Sequence, residues 1–515
     1  MHLTEIAAGQ PDRAAVLVDG PDGTEALDYR GLDQASLRLA ELLRRRGLAA
    51  GDRVALLLPN CAEYFPVSWA AQRSGLRYVP VNWHLSDAEA AYIVIDYGAK
   101  ALVASGAPRL RELAEAVARQ APELATRLAV HGPINGFEPL AAALDGIPAG
   151  VASVPAAAET EGSYMFYSSG TTGRPKGILP RLRDQPFGTG LAVDRLLGPL
   201  YGFDADSVYL CPGPLYHAAP LGWSLATQRN GGSVVVMSRF DAERMLALIE
   251  RHRVSHLQCV PTMFSRLLAL PEPVRRRYDL SSLRVVVHAA APCPIDVKHR
   301  MIDWLGPIVY EYYGGSEGVC FVHIDTPAWL AHPGSVGRPE PGTVHVVDDS
   351  GVPVGPGEVG TLWFSGGWRF EYHNDPERTA AAYDSAGRST LGDLGKLDEE
   401  GYLYLVDRRT DLIISGGVNI YPREVEEVLT AHPAVADAAV VAAPDPDRGH
   451  RVHAVVQPAP GFTAGPELAA ELIEHCRARL AGYKCPPAID FDPDLPRLPS
   501  GKLLRREIRA RYWEP

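Results

Sequence analysis

Tyr167-Ser168-Ser169-Gly170-Thr171-Thr172-Gly173-Arg174-Pro175-Lys176-Gly177 follows an apolar lead-in and packs hydroxyls, three glycines and two cations into eleven residues. The composition predicts a phosphate cradle. Glycines at 170, 173 and 177 let the backbone take positive φ and approach a ligand closely, so that successive N–H groups form a concave anion site. Ser168, Ser169, Thr171 and Thr172 add hydroxyl donors, and Arg174 and Lys176 add positive charge. A Walker loop needs Gly, four residues, then Gly-Lys-Ser/Thr at the start of a helix. Here Lys176 lies three residues past Gly173 and is followed by Gly177. Pro175 removes a donor and disfavours helix at Arg174, so the expected form is a flexible loop between strands. Taken alone, the segment is also compatible with a polar surface hairpin.

Bulk properties bound the rest. The 515 residues exceed the limit of about 250–300 for one core, which predicts several subdomains. An apolar fraction of 46% and a charged fraction of 22% are ordinary for a globular chain. The net charge of -12 and the lack of a long basic run exclude a nucleic-acid surface, so an anionic substrate must be held by local cations. The seven cysteines form no Cys-x-x-Cys pair and are odd in number, which argues against a disulfide framework or a zinc site. No charged leader precedes an apolar core at the N-terminus, and no apolar run reaches the roughly 20 residues of a spanning helix. The expectation is a cytoplasmic protein without a transmembrane segment; the oligomeric state is left open, a homodimer included.

Ser86-Asp87-Ala88-Glu89 has the form of a capping box before a helix through Ile95, which Gly98 can end ahead of a strand at 101–104. The same alternation recurs with a helix at 242–252 and strands at 256–260 and 283–287, predicting layered α/β architecture with parallel sheets. Residues 333–365 change character: Gly and Pro punctuate short β-rich runs, as expected of a small β-rich subdomain. A strand at 402–406 then meets Asp407-Arg408-Arg409-Thr410-Asp411, where the main boundary is placed. Beyond it are a helix opening at Pro422 and strands at 434–442 and 451–457, an α+β domain of about 105 residues.

Several segments beyond the first resemble the adenylate-forming superfamily of acyl- and aryl-CoA synthetases, peptide-synthetase adenylation domains and firefly-type luciferases. Tyr310-Glu311-Tyr312-Tyr313-Gly314-Gly315-Ser316-Glu317-Gly318 is similar to its Tyr-Gly-x-Thr-Glu segment, and Leu391-Gly392-Asp393 to its Gly-Asp segment. Asp407 to Pro422 resembles its hinge and the glycine loop after it, and Leu498-Pro499-Ser500-Gly501-Lys502 its C-terminal catalytic lysine segment. The resemblance implies a large N-terminal AMP-binding domain (1–407), a hinge (408–410) and a mobile lid (411–515) that rotates between two active poses.

By the same resemblance, ATP activates a carboxylate as an acyl adenylate, and CoA then takes the acyl group as a thioester. Lys502 would stabilise charge during adenylation; Glu317, assisted by Thr171 and Ser316, would hold Mg²⁺ on the phosphates. Asp393 would accept the ribose hydroxyls, and Arg408 would donate to ribose or phosphate. Tyr313, flanked by Tyr312 and Gly314, would stack on adenine against a wall of Ala290, Ala291 and Pro292. His217, in Pro214-Leu215-Tyr216-His217, matches a family position that gates the carboxylate pocket. Gly416 and Gly417 would let a pantetheine arm pass close to backbone.

Two departures and one match refine this picture. Thr410 stands where the family hinge commonly carries aspartate or lysine. Tyr312 stands where many members carry glycine and would fill volume that a long chain needs, with Trp223 and His288 as further lining. That points to a compact or ring-bearing carboxylic acid. Tyr483-Lys484-Cys485-Pro486 resembles the Tyr-Lys-x-Pro of CoA ligases. The alternative enzyme keeps adenylation but delivers the acyl group, or another oxyacid, to a carrier protein, an amine or a specialised nitrogen nucleophile. A non-catalytic nucleotide-binding or scaffold protein is disfavoured because Lys176, Glu317, Asp393, Arg408 and Lys502 are all present.

Overall fold

The structure, a computed structural model, describes residues 1–21, 23–148, 158–168, 175–180, 185–408, 411–415, 418–446, 448–497 and 503–513. Two large sheets dominate it. One has nine strands, and its central six run parallel in the spatial order Val309–Tyr313, Val285–His288, His256–Cys259, Val208–Cys211, Ser233–Met237 and Ala14–Gly20. Antiparallel strands close its edges. The other has six strands, all parallel, in the order Glu138–Pro139, Thr126–Val130, Ala101–Ser105, Arg53–Leu57, Arg77–Pro80 and Ser163–Tyr164. Their apolar runs follow from burial on both faces: Val54 to Leu58 and Val234 to Met237 are all at most 1% exposed.

Local signals explain the helices between these strands. Asp87–Tyr97 starts at a complete capping box between Ser86 and Glu89 and ends at Gly98, whose φ of 66° takes the left-handed turn. Ala242–His252 is capped by Asp241, which accepts from the Arg244 N–H. The expected strand at 283–287 is observed as Val285–His288, because Leu283 closes a turn on Leu280 before the ladder begins.

The β-rich segment continues beyond 365. Thr343–Val347, Gly360–Ser365, Asp393–Leu397 and Leu403–Arg408 form one antiparallel sheet over a cluster that includes Leu362, Phe364, Phe370 and Leu403. After it, Val435–Asp445 and Gly449–Pro458 pair antiparallel and Ile489–Phe491 adds in parallel. One face of this sheet packs on the helices Pro422–Thr430 and Pro466–Arg477 through Val425, Leu429, Leu472 and Cys476. The other face packs Ala439, Val441 and Val455 on Ile508 of helix Arg505–Trp513. This part of the chain therefore buries an apolar core of its own. All seven cysteines are buried and free, and among the described residues no helix is long and apolar enough to cross a membrane.

Candidate active site

Strands Phe166–Ser168 and Lys176–Pro180 pair antiparallel with Lys176 opposite Ser168, so residues 169–175 connect two strands of one sheet. Ser169, Gly170, Thr171, Thr172 and Gly173 lie outside the described residues, as do Gly416, Gly417 and Lys502, the hinge positions 409–410, and the side chains of Ser168 and Arg408. Gly177 needs correction. It sits inside the strand without positive φ, and a Cβ there would meet Met165 Cε at 2.2 Å and His373 Cβ at 3.0 Å. Close packing, not a left-handed turn, demands glycine at 177.

The same strand pairs on its other side with Phe370–Tyr372, which sets Ile178 opposite Tyr372. Tyr372 thereby joins two elements that sequence alone left apart: its ring lies 6.0 Å from Lys176 Nζ, and its hydroxyl donates to Glu317 Oε1 at 3.2 Å. Burial first, and then the Glu317 charge, push the Tyr372 phenol well above its ordinary range, so it remains a donor. Glu317 is held by a turn in which the Gly318 N–H donates to Gly315 O at 3.0 Å, with Gly318 at φ 69°. Gly315 gives that carboxylate room, since a Cβ there would lie 2.6 Å from Glu317 Oε2 and 3.0 Å from Leu391. Ser316 is exposed at the corner and Gly314 beside it is also exposed.

That contact with Leu391 brings the third motif in. Tyr313 donates through its hydroxyl to Asp393 Oδ2 at 2.6 Å, and Asp393 is 7% exposed. Asp393 stands opposite Arg408 in the ladder, which places the Arg408 backbone beside it. Ala290, with φ 74°, Ala291 and Pro292 form a partly exposed loop past the end of Val285–His288. That loop and the segment after Val309–Tyr313 leave the carboxyl ends of adjacent parallel strands, where ligands of open α/β sheets bind.

The period of two in Val309–Tyr313 divides its tyrosines. Tyr312 turns away from Asp393 and stacks between Trp223 (centroids 5.7 Å, 20° between planes) and Phe321 (5.0 Å, 17°). Tyr201 extends this aromatic wall, 5.3 Å from Trp223. His217 precedes the helix Ala218–Arg229 that carries Trp223; its Nε2 is buried without a hydrogen-bond partner, and burial holds its pKa down to about 4. The imidazole is neutral at pH 7. An orphaned buried nitrogen beside aromatic rings suits an incoming polar ligand group better than a structural role.

His288 is a second correction. Val287 and Tyr310 pack on the core that holds Trp223, whereas His288, one residue on, is fully buried against Phe264 on the opposite face, with Glu311 Oε2 at 3.4 Å. Lys298 Nζ lies 2.6 Å from the same carboxylate. His288 therefore does not join the aromatic wall, because strand alternation turns it away.

Sequence reading missed Tyr372, Phe321 and Tyr201, which lie in no recognised motif and reach the site through strand pairing and packing. It also missed Arg505. Three residues past Lys502, Arg505 pairs with Glu426 and lies 3.3 Å from Asp411 Oδ2, tying the chain after the lysine segment to the residue after the hinge. Lys484, in the Tyr-Lys-x-Pro segment, is clasped by Glu424 at 2.6 and 2.7 Å, and Tyr483 is exposed.

Comparison with known proteins agrees with this geometry. The profile of the AMP-binding enzyme family matches residues 3–371, and that of the AMP-binding enzyme C-terminal domain matches residues 424–502. A feruloyl-CoA synthase of Amycolatopsis sp is 36% identical over 495 residues, 95% of each chain. Among solved structures, an amide bond synthetase from Marinactinospora thermotolerans superposes with a TM-score of 0.82 at 29% identity over 99% of each chain. The o-succinylbenzoate CoA synthetase of Bacillus subtilis, solved with its acyl-adenylate intermediate, gives a TM-score of 0.79 at 29% identity over 98% of this chain and 97% of that one.

Proposed function

Because the chain belongs to the AMP-binding enzyme family, we propose that it joins a compact or ring-bearing carboxylic acid to CoA in two steps through an acyl adenylate. A carboxylate oxygen attacks the α-phosphorus of ATP, the bond to the bridging oxygen breaks, and pyrophosphate leaves with the electron pair. The CoA sulfur then attacks the acyl carbon, its proton passes to solvent, and AMP leaves. No enzyme nucleophile is needed; alignment and charge neutralisation supply the rate.

The observation that carries this reading is Tyr372, whose ring neighbours the Lys176 ammonium while its hydroxyl holds the Glu317 carboxylate. A cation and a carboxylate brought to one place by the same tyrosine suit a triphosphate that arrives with its own metal. Glu317 is a hard oxygen donor, only half buried, and fits Mg²⁺ together with Thr171; the ion would neutralise phosphate charge. Tyr313 and Asp393 would meet adenine and ribose, with Ala290, Ala291 and Pro292 as the facing wall. Trp223, Tyr312 and Phe321 receive the acyl group, and neutral His217 offers it a nitrogen. Lys502 meets the reacting oxygens, and Gly416-Gly417 borders the thiol's path.

Residues 1–407 act as the body, 408–410 as the hinge and 411–515 as the lid. The separate core after 413 and the separate profile match at 424–502 support that division. The buried free thiols accord with a cytoplasmic setting. Pyrophosphate release, measured across benzoate-, cinnamate- and steroid-like acids and hexadecanoic acid, tests the substrate class. A strong preference for hexadecanoic acid would reverse it. Thiol loss on adding CoA tests the acceptor. The likeness to an amide bond synthetase over 99% of the chain favours, as second reading, a nitrogen acceptor. Adenylate formation without thiol loss, and with amide formed from added amine, would select it.

A further inference from the structure

The six-stranded parallel sheet has its own topological switch point, remote in sequence from every motif above. From Arg53–Leu57 the chain moves to one side, to Arg77–Pro80, and from Ala101–Ser105 to the other, to Thr126–Val130. The helix that leaves the first strand, Tyr64–Arg73, packs into the core on one face. The helix that leaves the second, Pro108–Gln120, packs into the core on the other. The loops after these two adjacent strands therefore diverge and open a crevice at the carboxyl edge, the place where open α/β sheets take ligands.

Three metal-binding side chains meet at that edge. Cys61 and Glu63 come from the loop after Arg53–Leu57, and His131 directly follows Thr126–Val130. A thiol sulfur, a carboxylate oxygen and an imidazole nitrogen from these residues all lie within 4.8 Å of one another. His131 Nε2 is 3.0 Å from Glu63 Oε2, so the imidazole and the carboxylate already face each other beside the Cys61 thiol. A carboxylate held between a thiol and an imidazole turns oxygen, sulfur and nitrogen donors toward one point, a set that suits a divalent cation.

The surroundings fix the imidazole. Ser105 Oγ lies 3.3 Å from His131 Nδ1, which turns Nε2 toward Glu63 and supplies the outer hydrogen bond that metal-bound histidines use. The backbone is clamped as well. His131 holds φ 54°, the Gly106 N–H donates to Val130 O at 2.7 Å, and a Cβ on Gly106 would lie 2.4 Å from Gly132 O.

We propose that Cys61, Glu63 and His131 bind one Zn²⁺ through thiolate, carboxylate and imidazole Nε2. Zn–S bonds of about 2.3 Å and Zn–N and Zn–O bonds of about 2.0 Å need donors roughly 3.5 Å apart, so the side chains close by about 1 Å. A mixed sulfur, nitrogen and oxygen set selects a borderline-soft ion over Mg²⁺ or Ca²⁺, which prefer oxygen alone. The thiol proton leaves to solvent as the metal binds. Cys61 is buried, while Glu63 and His131 are 27% and 35% exposed along their side chains, so the fourth position faces water. The cysteine count argued against zinc because it looks for paired cysteines; here the ligands come from two loops about 70 residues apart, and only the sheet brings them together.

The test uses the full chain, stripped with chelator and titrated with Co²⁺ in the absence of nucleotide. One equivalent should bind with a near-ultraviolet sulfur-to-cobalt charge-transfer band, and Zn²⁺ should displace it. Cys61→Ser should abolish the band. His131→Asn, which tolerates the left-handed backbone and alters a half-exposed residue, should weaken Zn²⁺ binding at least about tenfold while the circular dichroism stays native. Zn²⁺ should raise Tm in the parent protein and not in His131→Asn. Absence of the band in the parent protein, its persistence in Cys61→Ser, or equal Zn²⁺ affinity in His131→Asn would overturn the proposal.

Discussion

The candidate site has two walls built on opposite principles. The charged wall, with Lys176, Glu317, Asp393 and Tyr313, draws its members from short polar segments that can be read one by one. The aromatic wall, with Tyr201, Trp223, Tyr312 and Phe321, draws single residues from four separate places in the chain that share no pattern. Adjacent Tyr312 and Tyr313 belong one to each wall, because strand alternation sends consecutive side chains to opposite faces. In the proposed function the charged wall carries the reaction and the aromatic wall selects the acid.

The sharpest way to separate the walls is Lys502→Ala. Pyrophosphate release should fall by several powers of ten, on the order of 10³, because a cation preorganised for the charged transition state is lost. CoA attack on supplied adenylate should stay nearly intact. Equal loss in both half-reactions would break the two-pose reading. On the aromatic side, His217 supplies a pH signature. Its folded pKa of about 4 lies below the unfolded 6.5, so the unfolded chain binds the extra proton as pH falls through that window. Stability is intact above the unfolded value and declines toward the folded one. Between about pH 7 and pH 5 the parent protein should lose about 2 kcal/mol that His217→Asn does not lose, by urea unfolding at each pH.

Tyr312→Gly should act on selectivity alone. Opening the stack removes about 1 kcal/mol of ring contact from compact aromatic acids and should shift kcat/KM toward a long-chain acid by about tenfold. The Mg²⁺ and ATP dependence should be unchanged. A fall in kcat for every acid would join the two walls into one. Tyr372→Phe, on the charged side, removes a hydroxyl from Glu317 and should lower kcat by about fivefold, an effect of about 1 kcal/mol. The KM for the acid should not move. A change in acid KM without change in kcat would transfer Tyr372 to the aromatic wall.

The unequal legibility of the walls has a physical origin. Glycines, hydroxyls and charges at a phosphate site must be close in sequence, since one loop has to present them together; Lys176 and Glu317 could thus be named from their segments. Gly177 shows the limit of that logic, since its missing Cβ makes room for Met165 and not for a ligand. His288 shows the same limit. Its neighbours in sequence suggested a pocket residue, and the parity of its strand buried it against Phe264. Tyr372 was invisible because its part in the site depends on register with Lys176–Pro180.

By itself the sequence determined the layered α/β class, the capping of helix Asp87–Tyr97, the helix that opens at Pro422 and the charged segments of the candidate site, because each rests on local propensity or on short-range spacing. Tertiary structure alone decided which side chains face each other: the contacts of Tyr372 with Lys176 and Glu317, the stack around Tyr312, and the meeting of Cys61, Glu63 and His131. Those contacts follow from strand order and register, which are fixed when distant apolar runs bury each other, and no short window of sequence contains that information.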